Sequence, residues 1–403
     1  MKKQINSLFI FATIFASILL SSCSGVSSTT KAPATVIAQN ATFSQSLASI
    51  ASDSSAHWLT PQLLVLANTN NAASYQLVKK NQAGASAITL SASKFPKAIA
   101  RKFPHLANFQ AYQVKLSPSQ AKTWLKQPLM VVAYDQNKQA QQVSFVQTGA
   151  VLDALYTQGD NDANEVTDLG ATITPDGVRF KLWAPTAQAV KLLVFDSQLL
   201  PLATPELTMT EDSATGIWSV LGDSALSGRY YQYQITVYHP ESKKVATLIT
   251  TDPYSLSLSI NSKYSQVVDL NSAATQPANW QEHTVPRVKT VEDNIFYEAH
   301  IRDFSSDDKA LSTSKVRGKY KAFSEKNSQG IQHLKALKQA GLNNIHLLPI
   351  YDLASINEDA TQAVDINNSV ALVKAKVCEE NSTLVICSTD FKSAQSLKSL
   401  LAN

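Results

Sequence analysis

The period of apolar and polar positions changes along this chain, and the changes divide it. Residues 8–20, LFIFATIFASILL, form one apolar run behind Lys2 and Lys3. A charged start, a short apolar core and small residues behind it predict a secretory signal over 1–22. Thirteen residues are too few to cross ~30 Å of hydrocarbon as a helix. Residues 23–50 are rich in Ser, Thr, Ala and Gln, with few large apolar positions, which predicts a flexible tether.

Compact patterning begins at 51. AHWLTPQLLVL is an apolar run broken by Pro61. SYQLVKK, the polar turn NQAGAS and ITLSAS predict a hairpin. KFPKAIARKFPHLANFQAYQVKL reads as two proline-bounded turns before a strand. SPSQAKTWLKQ offers Ser117 as an N-cap and an apolar stripe, so a short helix is expected. LMVVAYD is a buried strand, and QQVSFVQTGAVLDAL continues the sheet. Residues 51–167 are therefore expected to form a small β-rich domain with a helix.

Residues 168–285 hold short strands at regular spacing and no convincing helix, which predicts a β-sandwich. VRFKLWA and AVKLLVF are joined at Pro185-Thr186, and Asp176-Gly177 marks the turn before the first. RYYQYQITVYH alternates strictly, with Tyr231, Tyr233, Ile235 and Val237 on one face.

From 286 the pattern changes again. NIFYEAHIRDF is a strand, and SQGIQHLKALKQAGLN is a helix with Ile331, Leu334, Leu337 and Ala340 on its apolar side and Gly341 at its end. NIHLLPIYDL is continuously apolar, as buried parallel strands are. This β-α-β unit needs a parallel partner sheet.

Composition adds two constraints. The chain is 403 residues with 35 Lys and Arg against 31 Asp and Glu, a net charge of +4 without a basic block. That is a poor footprint for nucleic acid, and no nucleic-acid partner is expected. Three cysteines are present. The segment LSSC resembles the lipobox of bacterial lipoproteins, which implies that Cys23 is lipidated and anchors the chain to a membrane. Ser24 behind it implies outer-membrane sorting in a Gram-negative envelope, or display at the cell surface. Cys378 and Cys387 then remain as an even pair, which in an oxidising compartment reads as a disulfide. No His lies near them to complete a zinc set, and no metal site is expected.

The densest polar cluster is NIFYEAHIRDF, with Glu298, His300, Arg302 and Asp303 in six residues. In an extended strand Glu298, His300 and Arg302 share a face. Glu298 and Arg302 would lie ~13 Å apart at ~3.3 Å per residue, too far for a direct pair. A structural polar layer is favoured over support for a site. Trp58 and Tyr230 are candidates for stacking on a sugar ring, whereas Trp183 and Trp218 read as core.

VRFKLWAPTAQAVKLLVFD, DSATGIWSV, RYYQYQITVYHP, TDPYSLSLSINSKYSQVVDL, IFYEAHIRDFS and IHLLPIYDLASINE together resemble bacterial type I pullulanases of glycoside hydrolase family 13. The resemblance runs in order through residues 51–400. It implies a multidomain chain: a pullulanase N2-like domain over 51–167, an immunoglobulin-like β-sandwich similar to carbohydrate-binding module family 48 over 168–285, and an incomplete (β/α)8 barrel start over 286–403. It implies hydrolysis of α-1,6 branch points in pullulan, glycogen or limit dextrin, with no cofactor except calcium in full-length relatives. Glu298, His300, Arg302 and Asp303 would then form a polar layer on barrel strand one. Such hydrolysis with retention needs two carboxylates ~5–5.5 Å apart, from separate strand ends of a closed barrel. The nucleophile, acid/base and stabiliser segments of the resemblance have no counterpart in the 403 residues, so no catalytic residue is assigned. The expected chain is inactive alone, and a surface glucan-binding lipoprotein is the alternative. Residues 286–403 are expected to fold loosely or dock poorly.

Overall fold

The computed structural model describes residues 50, 52–67, 72–80, 87–285, 287–348, 350–351, 356–359, 362 and 378. The expected signal, nearly all of the tether and most of the tail, with Cys23 and Cys387, lie outside the described residues.

Seven strands form the first domain: β1 Ser52–Thr60, β2 Leu63–Leu66, β3 Ser74–Lys79, β4 Ile88–Ser93, β5 Gln110–Gln113, β6 Leu129–Tyr134 and β7 Ala140–Gln147. They close a barrel in the order β1-β2-β5-β4-β3-β6-β7. Neighbours are antiparallel except at the closing seam, where β1 runs parallel to β7 with Ser52 opposite Val143 and His57 opposite Gln147. Closure removes the open edges that an isolated sheet would expose. The run LMVVA is apolar at every position because both faces are covered. Leu129, Val131 and Ala133 join one cluster with Trp58, Leu64 and Leu77, while Met130 and Val132 join another with Val78 and Val143.

Three helices accompany the barrel. α1 Lys97–Lys102 and a 3-10 turn over Pro104–Leu106 occupy the stretch that the prolines predicted as turns only. α1 buries none of its residues, so it carries no apolar stripe by which a sequence could reveal it. α2 Pro118–Trp124 is the predicted helix. Ser117 accepts from the Gln120 N–H, and Gln120 reaches back to the Ser117 N–H, a reciprocal cap. α3 Gly149–Tyr156 replaces the expected continuation of the sheet. Its Val151 and Tyr156 are buried, and with Leu152 and Leu155 they recur at helical rather than strand spacing.

The second domain is the predicted sandwich. One sheet runs β11 Pro201–Thr208, β10 Ala189–Phe195, β14 Tyr230–His239, β15 Lys244–Thr250, with β16 Ser265–Gln266 also on β14. The other runs β12 Thr210–Asp212, β13 Ile217–Gly222, β9 Gly177–Trp183, β8 Gly170–Thr174. Alternate residues meet between them: Val178, Phe180 and Leu182 face Val190, Leu192, Val194, Tyr231 and Tyr233. The β8–β9 turn requires glycine. Gly177 has φ 137°, and a Cβ there would lie 2.2 Å from the Gly222 carbonyl oxygen.

Lysines join the two domains. Lys122 of α2 donates to the Ser213 and Ala214 carbonyls at 2.9 and 2.7 Å, in the turn between β12 and β13. Lys126 pairs with Glu211 and lies over the Trp218 ring at 5.3 Å. Gln188 donates to the Lys126 carbonyl at 2.8 Å.

The third part is the expected β-α-β unit: β17 Phe296–Ala299, α4 Gln329–Gln339 and β18 Asn344–Leu347. The strands pair in parallel, Phe296 opposite Asn344 and Ala299 opposite Leu347. Ser328 caps α4 by accepting from the Ile331 N–H, and Gly341, at φ 115°, turns the chain out of it. The second strand is shorter and more exposed than its apolar run predicted. Ile345 is 46% exposed and Phe296 65%, because among the described residues these two strands pair only with each other. The segment is linked to the sandwich through Asn261, which hydrogen-bonds Asn357 and Glu358.

Candidate functional site

The polar cluster of NIFYEAHIRDF is split by the fold. β17 ends at Ala299, so only Glu298 lies on the strand. The chain then turns: Phe304 N–H donates to the His300 carbonyl at 3.0 Å and Ser306 N–H to the Arg302 carbonyl at 2.9 Å. A strand face shared by Glu298, His300 and Arg302, as the sequence predicted, is therefore not formed, and the wider polar layer with Asp303 becomes a turn. Period two fails where the strand ends, and His300 and Asp303 meet instead as turn neighbours, Nδ1 to Oδ2 at 3.7 Å. Arg302 packs its aliphatic stem against Gly318, where a Cβ would lie 3.3 Å from the arginine Cγ.

The structure adds His346, which the sequence reading passed over. It stands opposite Glu298 across the parallel pair, with Nδ1 3.4 Å from Oε2. FYEA and NIHL each carry a titratable residue at the third position, but only the register of the pairing brings the two together. Each carboxylate thus faces its own histidine on an exposed surface, an arrangement that does not bracket a glycosidic bond with two carboxylates.

The acidic run behind the strand is structural. Asp308, 6% exposed, accepts from the Ala310 N–H at 2.8 Å and from the Gln329 N–H at 2.6 Å, so it holds the start of α4. Ser305 accepts from the Gly318 N–H at 2.9 Å in the same knot.

Of the two stacking candidates, Trp58 is excluded. It is fully buried in the barrel core, and its Nε1 has no hydrogen-bond partner among the described residues. A tryptophan beside Pro61 in an apolar run is a core residue here because β1 and β2 bury it. Tyr230 is half-buried, on β14 opposite Phe195 and Gln266. Trp218 is buried and donates to the Ala184 carbonyl at 3.0 Å, and half-buried Trp183 donates to the Thr215 carbonyl at 3.0 Å.

The sandwich also contains a buried carboxyl. Asp252 accepts from the Tyr231 and Tyr233 hydroxyls and from the Tyr254 N–H, the last at 2.8 Å. Burial pushes its pKa upward, and these three donors only partly offset that. The same burial, with the adjacent carboxylate, raises both tyrosines. Beside this network a cleft of about 380 Å³ opens between Asp168, Thr172, Tyr231, Tyr254 and Gln266. Lys181 pairs with Asp168 at its edge, Nζ to Oδ1 at 2.6 Å. Among the described residues no group of three or more His, Cys, Asp or Glu is placed to hold a metal ion. Cys378 is disulfide-bonded, and both other cysteines lie outside the described residues.

Two family models match parts of the chain. Residues 53–154 match the Pullulanase N2 domain, and residues 168–255 match Carbohydrate-binding module 48 (Isoamylase N-terminal domain). A pullulanase of Klebsiella pneumoniae is 36% identical over 303 residues, 74% of this chain and 26% of the relative. Pullulanase 1, chloroplastic, of Arabidopsis thaliana is 32% identical over 68% of this chain and 28% of its own length. The chain thus spans about a quarter of the curated relatives it matches. Among solved structures, PulA from Klebsiella oxytoca aligns with a TM-score of 0.72 and 31% identity, covering 86% of this chain and 34% of that one. A maltotriose complex of PulA from Klebsiella pneumoniae aligns with a TM-score of 0.71 and 32% identity, over 86% and 38% respectively.

Proposed function

Because this chain carries the N-terminal domain set of the pullulanase family, we propose that it supplies the non-catalytic, glucan-holding part of an α-1,6-glucan debranching enzyme. The observation that carries this reading is the structural match over 86% of the chain at 31–33% identity. The barrel and the sandwich form one α-glucan-engaging body, joined through Lys122 and Lys126. The β-α-β unit of β17, α4 and β18 is the first repeat of a (β/α)8 fold. Its polar residues, Glu298, His300, Arg302 and Asp303, serve that framework and not bond cleavage. Retaining hydrolysis needs two carboxylates facing one bond, and here Glu298 and Asp303 are each engaged with a separate histidine.

The test has two arms. Purified chain incubated with pullulan releases no reducing ends, and the same chain is retarded in native gels containing pullulan or amylopectin. Release of reducing ends that is abolished by Glu298→Gln would overturn the non-catalytic reading.

The LSSC segment supports a lipid anchor at Cys23 in a Gram-negative outer membrane. Palmitate labelling of the chain, lost in Cys23→Ser, is the expected result; labelling that persists in the variant sinks the anchor.

A further inference from the structure

Trp280 stands apart from the other four tryptophans. Trp58, Trp124 and Trp218 are buried in the two domain cores, and Trp183 is half-buried and fixed to the Thr215 carbonyl. Trp280 is 54% exposed in a polar segment, QPANWQEHT, where no core needs it. Its indole is the largest aromatic face that this segment presents to solvent.

The backbone presents the ring in a defined way. Trp280–Glu282 form one 3-10 turn, with Asn279 before it at φ 61° and the His283 N–H donating to the Trp280 carbonyl at 3.3 Å. Three residues per turn eclipse side chains at i and i+3. The indole of Trp280 and the imidazole of His283 accordingly lie nearly parallel, 18° between planes with centroids 6.5 Å apart. The segment leading to them is tied down: Thr275 Oγ1 donates to the Asp269 and Ser272 carbonyls at 2.8 and 2.9 Å, and Gln281 donates to Gln276 at 3.0 Å. A cleft of about 440 Å³ opens here, lined by Pro277, Asn279, Trp280, Glu282 and His283.

We propose that Trp280 and His283 form a surface subsite for the pyranose rings of an α-glucan. The chemistry is that of sugar recognition. A glucosyl ring has an apolar face of C–H bonds, which covers an aromatic ring, and an equatorial rim of hydroxyls. Glu282 can accept from two such hydroxyls and Asn279 can both donate and accept. Backed by the stacked imidazole, the indole offers its outer face to a sugar ring. This subsite rests on the reading of the chain as a glucan-holding part, and it puts that contact in the segment after the sandwich rather than on its strands.

The experiment is affinity electrophoresis of the full chain in native gels with pullulan or amylopectin, comparing wild type, Trp280→Ala, Trp280→Tyr and His283→Ala. Trp280 is exposed, so its truncation leaves the cores intact, and superimposable circular dichroism spectra check this. Loss of one aromatic contact is expected to weaken retardation about ten-fold in Trp280→Ala. Trp280→Tyr recovers most of it, and His283→Ala has a smaller effect in the same direction. Glucan added to wild type shifts indole fluorescence, and that shift disappears in Trp280→Ala. If wild type and Trp280→Ala are retarded equally, the subsite is wrong while the glucan-holding reading stands. If wild type is not retarded at all, both fall.

Discussion

Tyr231 donates its phenolic proton to Asp252 Oδ2 at 2.7 Å, inside a sandwich core where the carboxyl is only 4% exposed. Tyr233 donates to the same oxygen at 3.3 Å, and the Asp252 N–H donates to Ser265 Oγ at 2.8 Å. One carboxyl thus satisfies two buried hydroxyls on β14. Asp252→Ala removes this acceptor from both hydroxyls and is expected to cost about 1–3 kcal/mol in urea unfolding. Burial raises the folded pKa of Asp252. Its proton-linked stability is therefore fully present below the unfolded value of about 3.9 and is lost as pH rises through the raised value. The penalty of Asp252→Ala should accordingly be larger near pH 4 than near pH 7. A penalty that grows with pH over this window would reject the assignment.

Asp53 gives the opposite sign at the barrel seam. It lies on β1 and accepts from Gln142 Nε2 at 3.0 Å and from Ser144 Oγ on β7, as well as from the Ser55 N–H at 3.1 Å. Burial alone would raise its pKa, but these donors together outweigh burial and lower it. Its contribution is present above the unfolded value of about 3.9 and is lost as pH falls through the depressed one. Asp53→Ala is expected to lower the unfolding midpoint at pH 7 and to lose its effect once the pH falls below that depressed value. An effect undiminished in strong acid would count against the seam role.

Two lysines hold one side of the domain junction, and Lys80, which donates to the Lys243 carbonyl at 2.9 Å, holds another. Lys122 donates to two carbonyls of the Asp212–Gly216 turn and sits 4.1 Å from the Tyr156 ring centroid, while Lys126 meets Glu211 and Trp218. Charged donors on backbone carbonyls are worth about 1.5–3 kcal/mol each. Replacing Lys122 and Lys126 by alanine should split a single thermal transition into two, one for each domain, in differential scanning calorimetry. A single transition with an unchanged midpoint would mean that the domains are coupled by other contacts.

Trp58 separates packing from binding. Its Nε1 is buried without a partner among the described residues, so Trp58→Phe removes a cost along with some packing, and a net change within about 1 kcal/mol is expected. Trp58→Ala should cost about 3–5 kcal/mol. Neither variant should alter retardation by pullulan when compared as folded protein. A selective loss of glucan binding in Trp58→Phe would return this residue to the candidates for sugar stacking.

Several structural features were legible before the fold. Strict alternation in RYYQYQITVYH put Tyr231 and Tyr233 on one buried face, and the sandwich core contains both. Ser117 announced α2, and Gly341 announced the end of α4, since caps depend on residues adjacent in sequence. α1 escaped because a helix that buries nothing has no stripe, and α3 because four clustered apolar residues were read with the wrong period.

The sequence by itself determined the three-part order of the chain, the sandwich strands and the β-α-β unit, because local period and capping are written in consecutive residues. Only the tertiary structure decided that β1 meets β7 to close a barrel, that Trp58 is inside and Trp280 outside, and that His346 stands against Glu298. Those facts depend on which surfaces distant segments cover, and a strand carries the same alternation whether its neighbour is one hairpin away or ninety residues away.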